Sequence, residues 1–392
     1  MKKLIFWIIL IISVYVSVEL LLYAGIYSLD TFRQKEVYRP ADKLSAIQQK
    51  STENLFVEKQ NYVSFDATLG WSIKANGFSK LYQANSSAIR SDREYTITPP
   101  EDISRISAFG DSFTHCDEVK NNETWQASME RSDSSVEVLN FGVGGFGLDQ
   151  AYLRYLKDGA HYQSDFVLIG FMRENIKRNV NIFRPFYRQR GGISFTKPRF
   201  QIKDGRLALI HNPMKKLTDY QELLRCPRAT LSKLGKNDYF YKKRYSSNKF
   251  DWLPTVKLAT MFINYCRNKL SDDRIIMHDE YNKKSEAFKV TKKIFDEFYT
   301  AATTNKSMPI ILIFPNGKDL ERYRKKGRKQ YWVLLEYFDL AGYRYLDLMD
   351  AFNGVDREKL FEGNYHYAPL ANTLVANYIL NYINDVRKRR NL

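Results

Sequence analysis

An α/β fold built on a parallel sheet, behind one N-terminal membrane-spanning helix, is what this sequence predicts, on three observations. Short apolar segments with strand character alternate with helix-period segments over residues 105–171 and again over 285–386. That alternation is the mark of strands separated by crossover helices. Three of the strand segments end on turn or amide residues, at Gly110, Gly142 and Asn175. An apolar run fills most of the first 29 residues.

The elements follow in chain order. Lys2 and Lys3 precede an apolar run over residues 4–29, broken only by Glu19 and a few Ser and Gly. A spanning helix needs about 20 such residues, and a signal-peptide core uses only about 7–15. No clear small-residue cleavage site follows, so residues 1–29 read as an uncleaved signal anchor. Arg33, Lys35, Arg39 and Lys43 lie just past the run, and the positive-inside count therefore leaves the orientation open. A single anchor before a large domain suits export, with the domain extracytoplasmic. Residues 30–60 are polar and read as a linker or stalk, partly helical, leading to a domain over 61–392. Residues 61–100 read as small strands and loops.

The sheet pattern begins at strand 105–109, followed by a helix over 124–131, a strand over 136–140, a helix over 148–157 and an apolar, central strand over 165–171. Residues 180–283 interrupt the rhythm as an insertion, with a hairpin over 191–212 turning at Asp204 and Gly205. A helix over 285–303, a strand over 309–314, a helix over 319–340, a strand over 343–348 and a last helix over 370–386 complete the pattern.

Composition narrows the function classes. Of 392 residues, 44% are hydrophobic, enough for a sizeable core and against wholesale disorder. The formal net charge of +17 favours anionic partners, acidic glycans and membrane surfaces among them. The basic runs near 322–329 and 387–390 read as a solvated face and a charged tail, and no nucleic-acid-binding motif accompanies them. Cys116, Cys226 and Cys266 form no disulfide framework, and no Cys or His cluster has metal-ligand spacing.

Ligands of open parallel sheets sit outside the carboxyl ends of the strands. Ser112 follows the first strand in a tight turn, Gly145 follows the second, and Asn175 follows the third. A nucleophilic serine needs a base in reach and donors aimed at a developing oxyanion. His366, just before the closing helix, can be the base. Glycine offers an unobstructed backbone N–H, and asparagine a side-chain donor. Asp111 reads as a structural residue of the turn, and Cys116 as a small buried one. His115 would need an awkward reach to Ser112. Arg173, Arg178 and Arg184 could grip an anionic substrate or stand on a solvated face.

These residues resemble the blocks of the SGNH hydrolases, the GDSL-like esterase family. Gly110-Asp111-Ser112-Phe113-Thr114 resembles the nucleophile block, and residues 140–145 (Asn-Phe-Gly-Val-Gly-Gly) the second block. Residues 170–175 stand where the family has its Gly-x-Asn-Asp block, and His366 followed by Pro369 resembles the last. The resemblance covers about residues 61–180 and 284–385. It implies a flavodoxin-like three-layer α/β/α fold, ester hydrolysis or acyl transfer, and no required metal or organic cofactor. It makes Ser112 the nucleophile, His366 the base, and Gly145 and Asn175 oxyanion donors. The sequence departs from the family in two places. Arg173-Glu174 precedes the asparagine of the third block, which leaves Asn179 as a substitute. Gly363 stands where the family has the acid three residues before the histidine. Glu362 is the nearest replacement, Asp347 and Asp350 are weaker ones, and a Ser-His dyad is the remaining arrangement.

Two functions are then expected. One is a serine esterase or O-acyltransferase acting on ester-linked acyl groups, acetyl among them, of a cell-envelope polysaccharide. The other is a non-catalytic, membrane-anchored protein that binds or assembles an anionic polysaccharide.

Overall fold

In the computed structural model, which describes residues 2–32, 43–57, 61–188, 193–244, 249–250, 252–362 and 366–390, the chain opens on helices α1 (Lys2–Phe32) and α2 (Ala46–Val57). The most apolar 18-residue window of the stretch Lys2–Ser28 of α1 has a mean hydropathy of 2.5, and none of that window is buried. α2 lies inside the expected stalk, yet it buries Gln48, Thr52 and Leu55. It is therefore docked on the domain. Much of the rest of the expected linker, residues 33–42 and 58–60, lies outside the described residues, as does Gly363.

A hairpin of β1 (Val63–Asp66) and β2 (Gly70–Ile73) leads in. Then come β3 (Ser104–Phe109), α3 (Ser112–His115), α4 (Trp125–Ser132), β4 (Val136–Asn140), α5 (Leu148–Arg154), β5 (Phe166–Met172) and α6 (Asn175–Arg178). The insertion holds a hairpin of β6 (Arg199–Lys203) and β7 (Arg206–Ile210), helices α7 (Asp219–Arg225), α8 (Pro227–Gly235), α9 (Tyr239–Arg244) and α10 (Pro254–Leu270), and the short pair β8 (Ile276–Met277) and β9 (Glu280–Tyr281). The β6–β7 turn falls at Asp204 and Gly205, both at positive φ, the geometry a two-residue hairpin loop requires. The chain returns through α11 (Glu286–Thr304), β10 (Met308–Phe314), α12 (Gly317–Lys326), α13 (Trp332–Ala341), β11 (Tyr345–Asp347), α14 (Arg357–Leu360), the pair β12 (Phe361–Glu362) and β13 (His366–Tyr367), and α15 (Pro369–Arg390).

The main sheet is parallel, in the order β4-β3-β5-β10-β11. Counted along the chain this is 2-1-3-4-5, the flavodoxin-like order, with the switch point between β3 and β5. Period-two side-chain alternation divides the core. Leu168, Ile310 and Leu312 point into one apolar cluster with Met129 of α4 and Val375 and Ile379 of α15. Ile169, Ile311 and Ile313 point into the other, with Ala151 of α5, Ile294, Phe295 and Phe298 of α11, and Phe338 of α13. Three layers result.

Local signals set the helix ends. Thr124 caps α4 by accepting from Ala127 N, and Ser285 caps α11 by accepting from Phe288 N. The single helix expected over 319–340 is two. Gly327 takes a left-handed φ of 64° and ends α12, and the chain restarts at Trp332. Ser112, Gly145 and Asn175 all follow carboxyl ends of neighbouring strands, on either side of the switch point.

Candidate active site

The turn after β3 is built by Asp111. It caps α3 by accepting from Phe113 N at 3.0 Å. Its other oxygen accepts from Asn175 Nδ2 at 3.1 Å and Arg178 Nη1 at 3.0 Å. The carboxyl is fully buried, which pushes its pKa up, while Arg178 pulls against that. The turn is tight: a Cβ on Gly110 would lie 2.1 Å from Thr114 Oγ1.

Ser112 leads α3 and is buried. Its Oγ lies 2.9 Å from His366 Nε2. His366 belongs to β13, and its other nitrogen, Nδ1, lies 3.1 Å from Glu118 Oε1. Ser112 and His366 are 254 positions apart, and the sheet topology brings them together. Phe113 packs against the imidazole, with ring centroids 5.4 Å apart.

Glu362, the acid expected from the sequence, is corrected by this geometry. It stands opposite His366 in the β12–β13 ladder with an exposed side chain, and the carboxylate at Nδ1 is that of Glu118. Asp347 is engaged elsewhere, 2.8 Å from Lys329 Nζ and 3.0 Å from Tyr331 Oη, and Asp350 lies 3.8 Å from Lys329.

The second block also folds against the nucleophile turn. Val143 N donates to Gly110 O at 3.0 Å, and a Cβ on Gly142 would lie 2.3 Å from His115 N. Gly145 takes φ +81°, a conformation that favours glycine. Its carbonyl accepts from Arg184. Among the described residues, neither the Ser112 nor the Gly145 backbone N–H has an acceptor.

Asn175 is corrected from donor to strut. Its Oδ1 accepts from Met172 N at 2.6 Å, and its Nδ2 donates to Asp111 Oδ2 and to Phe146 O, both at 3.1 Å. Both amide hydrogens are spent tying the ends of β3, β4 and β5 together, so no donor is left for an oxyanion. Asn179, also buried, donates from Nδ2 to Thr291 Oγ1 of α11 at 2.8 Å and accepts at Oδ1 from Asp149 N at 3.4 Å.

Two buried arginines underlie the glycine loop. Arg178 Nη1 donates to Phe146 O at 2.7 Å as well as to Asp111, and Arg184 holds Gly145 O. Glu174 sits among Arg178, Arg184 and Arg188. Burial works to raise its carboxyl, but those cations and the Tyr187 hydroxyl hold it well below the usual carboxylate range. Beside it a cleft of about 300 Å³ is lined by Arg173, Glu174, Lys177, Arg188 and Lys318, a surplus of cations at the carboxyl ends of β5 and β10. Arg173 is paired with Asp319 at 2.6 Å.

His115 serves a separate cluster. Its Nε2 meets Tyr62 Oη at 2.7 Å and its Nδ1 meets Asp117 Oδ1 at 2.6 Å. Burial, with Arg90 nearby, holds its pKa down at about 4. Cys116 is buried as expected, and burial pushes its thiol up to about 12. Among the described residues, no group of three or more His, Cys, Asp or Glu could hold a metal ion.

Sequence reasoning missed Glu118 and the grip of Arg178 on Asp111. The signal for Glu118 was indirect: Gly363 left the imidazole without its expected acid.

No protein-family model matches the sequence, and no curated protein matches it. Among solved structures the chain is similar to a lipolytic protein of the G-D-S-L family from Veillonella parvula, at 13% identity over 71% of this chain and 97% of that one, with a TM-score of 0.36. It is also similar to a GDSL-like lipase from Bacteroides thetaiotaomicron, at 10% identity over 74% and 91%, with a TM-score of 0.35. A third likeness is to a catalytic variant of an acetylxylan esterase from Geobacillus stearothermophilus, at 12% identity over 71% and 93%, with a TM-score of 0.34. Likeness at this level carries no argument for the chemistry, which stands on Ser112, His366 and Glu118.

Proposed function

We propose that the chain is a serine esterase or O-acyltransferase, held to a membrane by α1 with its catalytic domain on the extracytoplasmic side. The observation that carries the reading is the series of contacts from Ser112 Oγ to His366 Nε2 at 2.9 Å, and from His366 Nδ1 to Glu118 Oε1 at 3.1 Å. A serine within hydrogen-bond reach of an imidazole that a carboxylate orients is the arrangement nucleophilic catalysis needs.

In this mechanism Ser112 Oγ bonds to the acyl carbonyl carbon as its proton passes to His366 Nε2. The carbonyl electron pair moves onto oxygen, and the N–H groups of Ser112 and Gly145 receive it. Collapse of the tetrahedral species breaks the ester bond, and the leaving alcohol takes the proton from His366. Water or a sugar hydroxyl then attacks the acyl-enzyme, giving its proton to His366. The second collapse frees Ser112 Oγ, which takes that proton back. Glu118 holds the imidazole in the required tautomer and offsets its positive charge in each transition state. The mechanism uses no metal or cofactor step.

An acylated, anionic cell-envelope glycan fits the net charge of +17 and the cationic cleft beside Glu174. The test is hydrolysis of p-nitrophenyl acetate by the full chain in detergent, with and without acetylated and deacetylated envelope oligosaccharides. Ester turnover that His366→Ala abolishes supports the reading, and acetyl appearing on the oligosaccharide assigns the transferase branch. A folded wild type without turnover on any acyl ester, in a chain that retains anionic polysaccharide, would favour the binding function.

A further inference from the structure

Helix α10, in the insertion, has the surface of a helix that lies against lipid. It runs 17 residues, and its only buried residue is Pro254. Trp252, just before it, and Phe262, Ile263, Tyr265 and Leu270 on it each expose more than half of their surface. Monomeric soluble domains rarely leave such a row of large apolar side chains in water. Arg267 and Lys269 stand in its last turn.

Its position says what covers it. α10 packs beside α1, and Glu19 of α1 accepts hydrogen bonds from Thr255, from the backbone N at 3.1 Å and from the hydroxyl. Glu19 is the lone acidic residue in the apolar run, and a carboxylate there requires donors. The first turn of α10 supplies them, from the Thr255 N–H, which has no helical partner there, and from the Thr255 hydroxyl. Glu19 lies 16 residues past Lys3, about 24 Å along α1 at about 1.5 Å per residue, against a hydrocarbon core of about 30 Å. With Lys2 and Lys3 at one face, the Glu19–Thr255 contact falls just inside the opposite face.

We infer that α10 is an interfacial membrane helix, paired with α1 and seated in the outer boundary of the bilayer that α1 crosses. Its apolar side chains enter the acyl region, Trp252 sits at headgroup level, and Arg267 and Lys269 meet lipid phosphates. The catalytic domain is thereby tied to the membrane at two places rather than swinging on a tether. The inference rests on the reading of α1 as a retained span.

The test uses the full chain in vesicles of phosphatidylcholine and phosphatidylglycerol, with Cys226 and Cys266 replaced by serine and Cys116 left buried. An environment-sensitive fluorophore is placed by Ile263→Cys or, separately, Phe262→Cys. Leu10→Cys in α1 and the exposed Leu340→Cys on α13 are the references. Spin-labelled lipids should quench the probe at 262 and 263 and at Leu10→Cys, and leave Leu340→Cys bright. Quenching at Leu10→Cys alone would overturn the inference and leave the anchor standing. Loss of quenching at all three membrane positions would overturn both.

Discussion

Replacing Glu118 by glutamine should slow ester turnover by one order of magnitude rather than four. The carboxylate lies 3.1 Å from His366 Nδ1, and its side chain is 48% exposed. Two unit charges about 4 Å apart attract by about 1 kcal/mol in water and about 4 kcal/mol at an effective dielectric of about 20. Solvent screens a half-exposed pair toward the lower figure. About 1–2 kcal/mol of imidazolium stabilisation remains, equivalent to about 5- to 30-fold in rate. Loss of an enclosed triad acid costs about 10⁴-fold. The assay is kcat/KM on p-nitrophenyl acetate for wild type, Glu118→Gln and Glu362→Gln, each checked for an unchanged denaturation midpoint. Glu118→Gln should fall by about 5- to 30-fold, and Glu362→Gln should stay within about twofold of wild type. A loss in Glu362→Gln with Glu118→Gln unaffected would return the acid role to Glu362.

Other outcomes follow from the same geometry. Gly145→Ala places a Cβ 2.1 Å from Ile193 Cδ1 at φ +81°, and displacement of this oxyanion donor should lower kcat by about 100-fold with KM little changed; stopped-flow acylation rates would read it, and an unchanged kcat would remove Gly145 from the site. Arg178→Met strands the buried Asp111 carboxyl and should cost about 3 kcal/mol in urea unfolding, with activity lost alongside; wild-type stability would contradict the role given to the pair. His115, held at about 4 in the folded protein, is protonated first in the unfolded chain, whose ordinary value is about 6.5. The unfolded state therefore binds more protons between those values, and stability is lost as pH is lowered through that window, by at most about 1.4 kcal/mol per unit. In His115→Gln the loss of stability from pH 7 to pH 5 should be smaller than in wild type, and equal losses would refute the assignment.

The sheet was legible because its signals are local. Ile310, Ile311, Leu312 and Ile313 form an apolar run of strand length, and α11 repeats its apolar residues at helical spacing. The break at Gly327 was hidden in the basic run 322–329, where charge says nothing about φ. At the site, the strand ends declared Ser112 and Gly145, and His366 declared itself by its place before α15. What the sequence could not carry is commitment in three dimensions. Asn175 has the right chemistry for a donor, but Asp111 and Phe146 claim its hydrogens. Glu118 reaches His366 across 248 positions of sequence, from a loop with no acid motif. The role of α10 was equally hidden, because its apolar residues are separated by polar ones and acquire meaning only beside α1.

Covalent labelling decides whether Ser112 is an activated nucleophile. The full chain in detergent is treated with a fluorophosphonate and read by intact mass and peptide mapping, beside Ser112→Ala and His366→Ala. One adduct is expected, on Ser112, absent in Ser112→Ala and strongly slowed in His366→Ala. A folded wild type that takes up no adduct, or carries it on another residue, would contradict a nucleophilic role for Ser112.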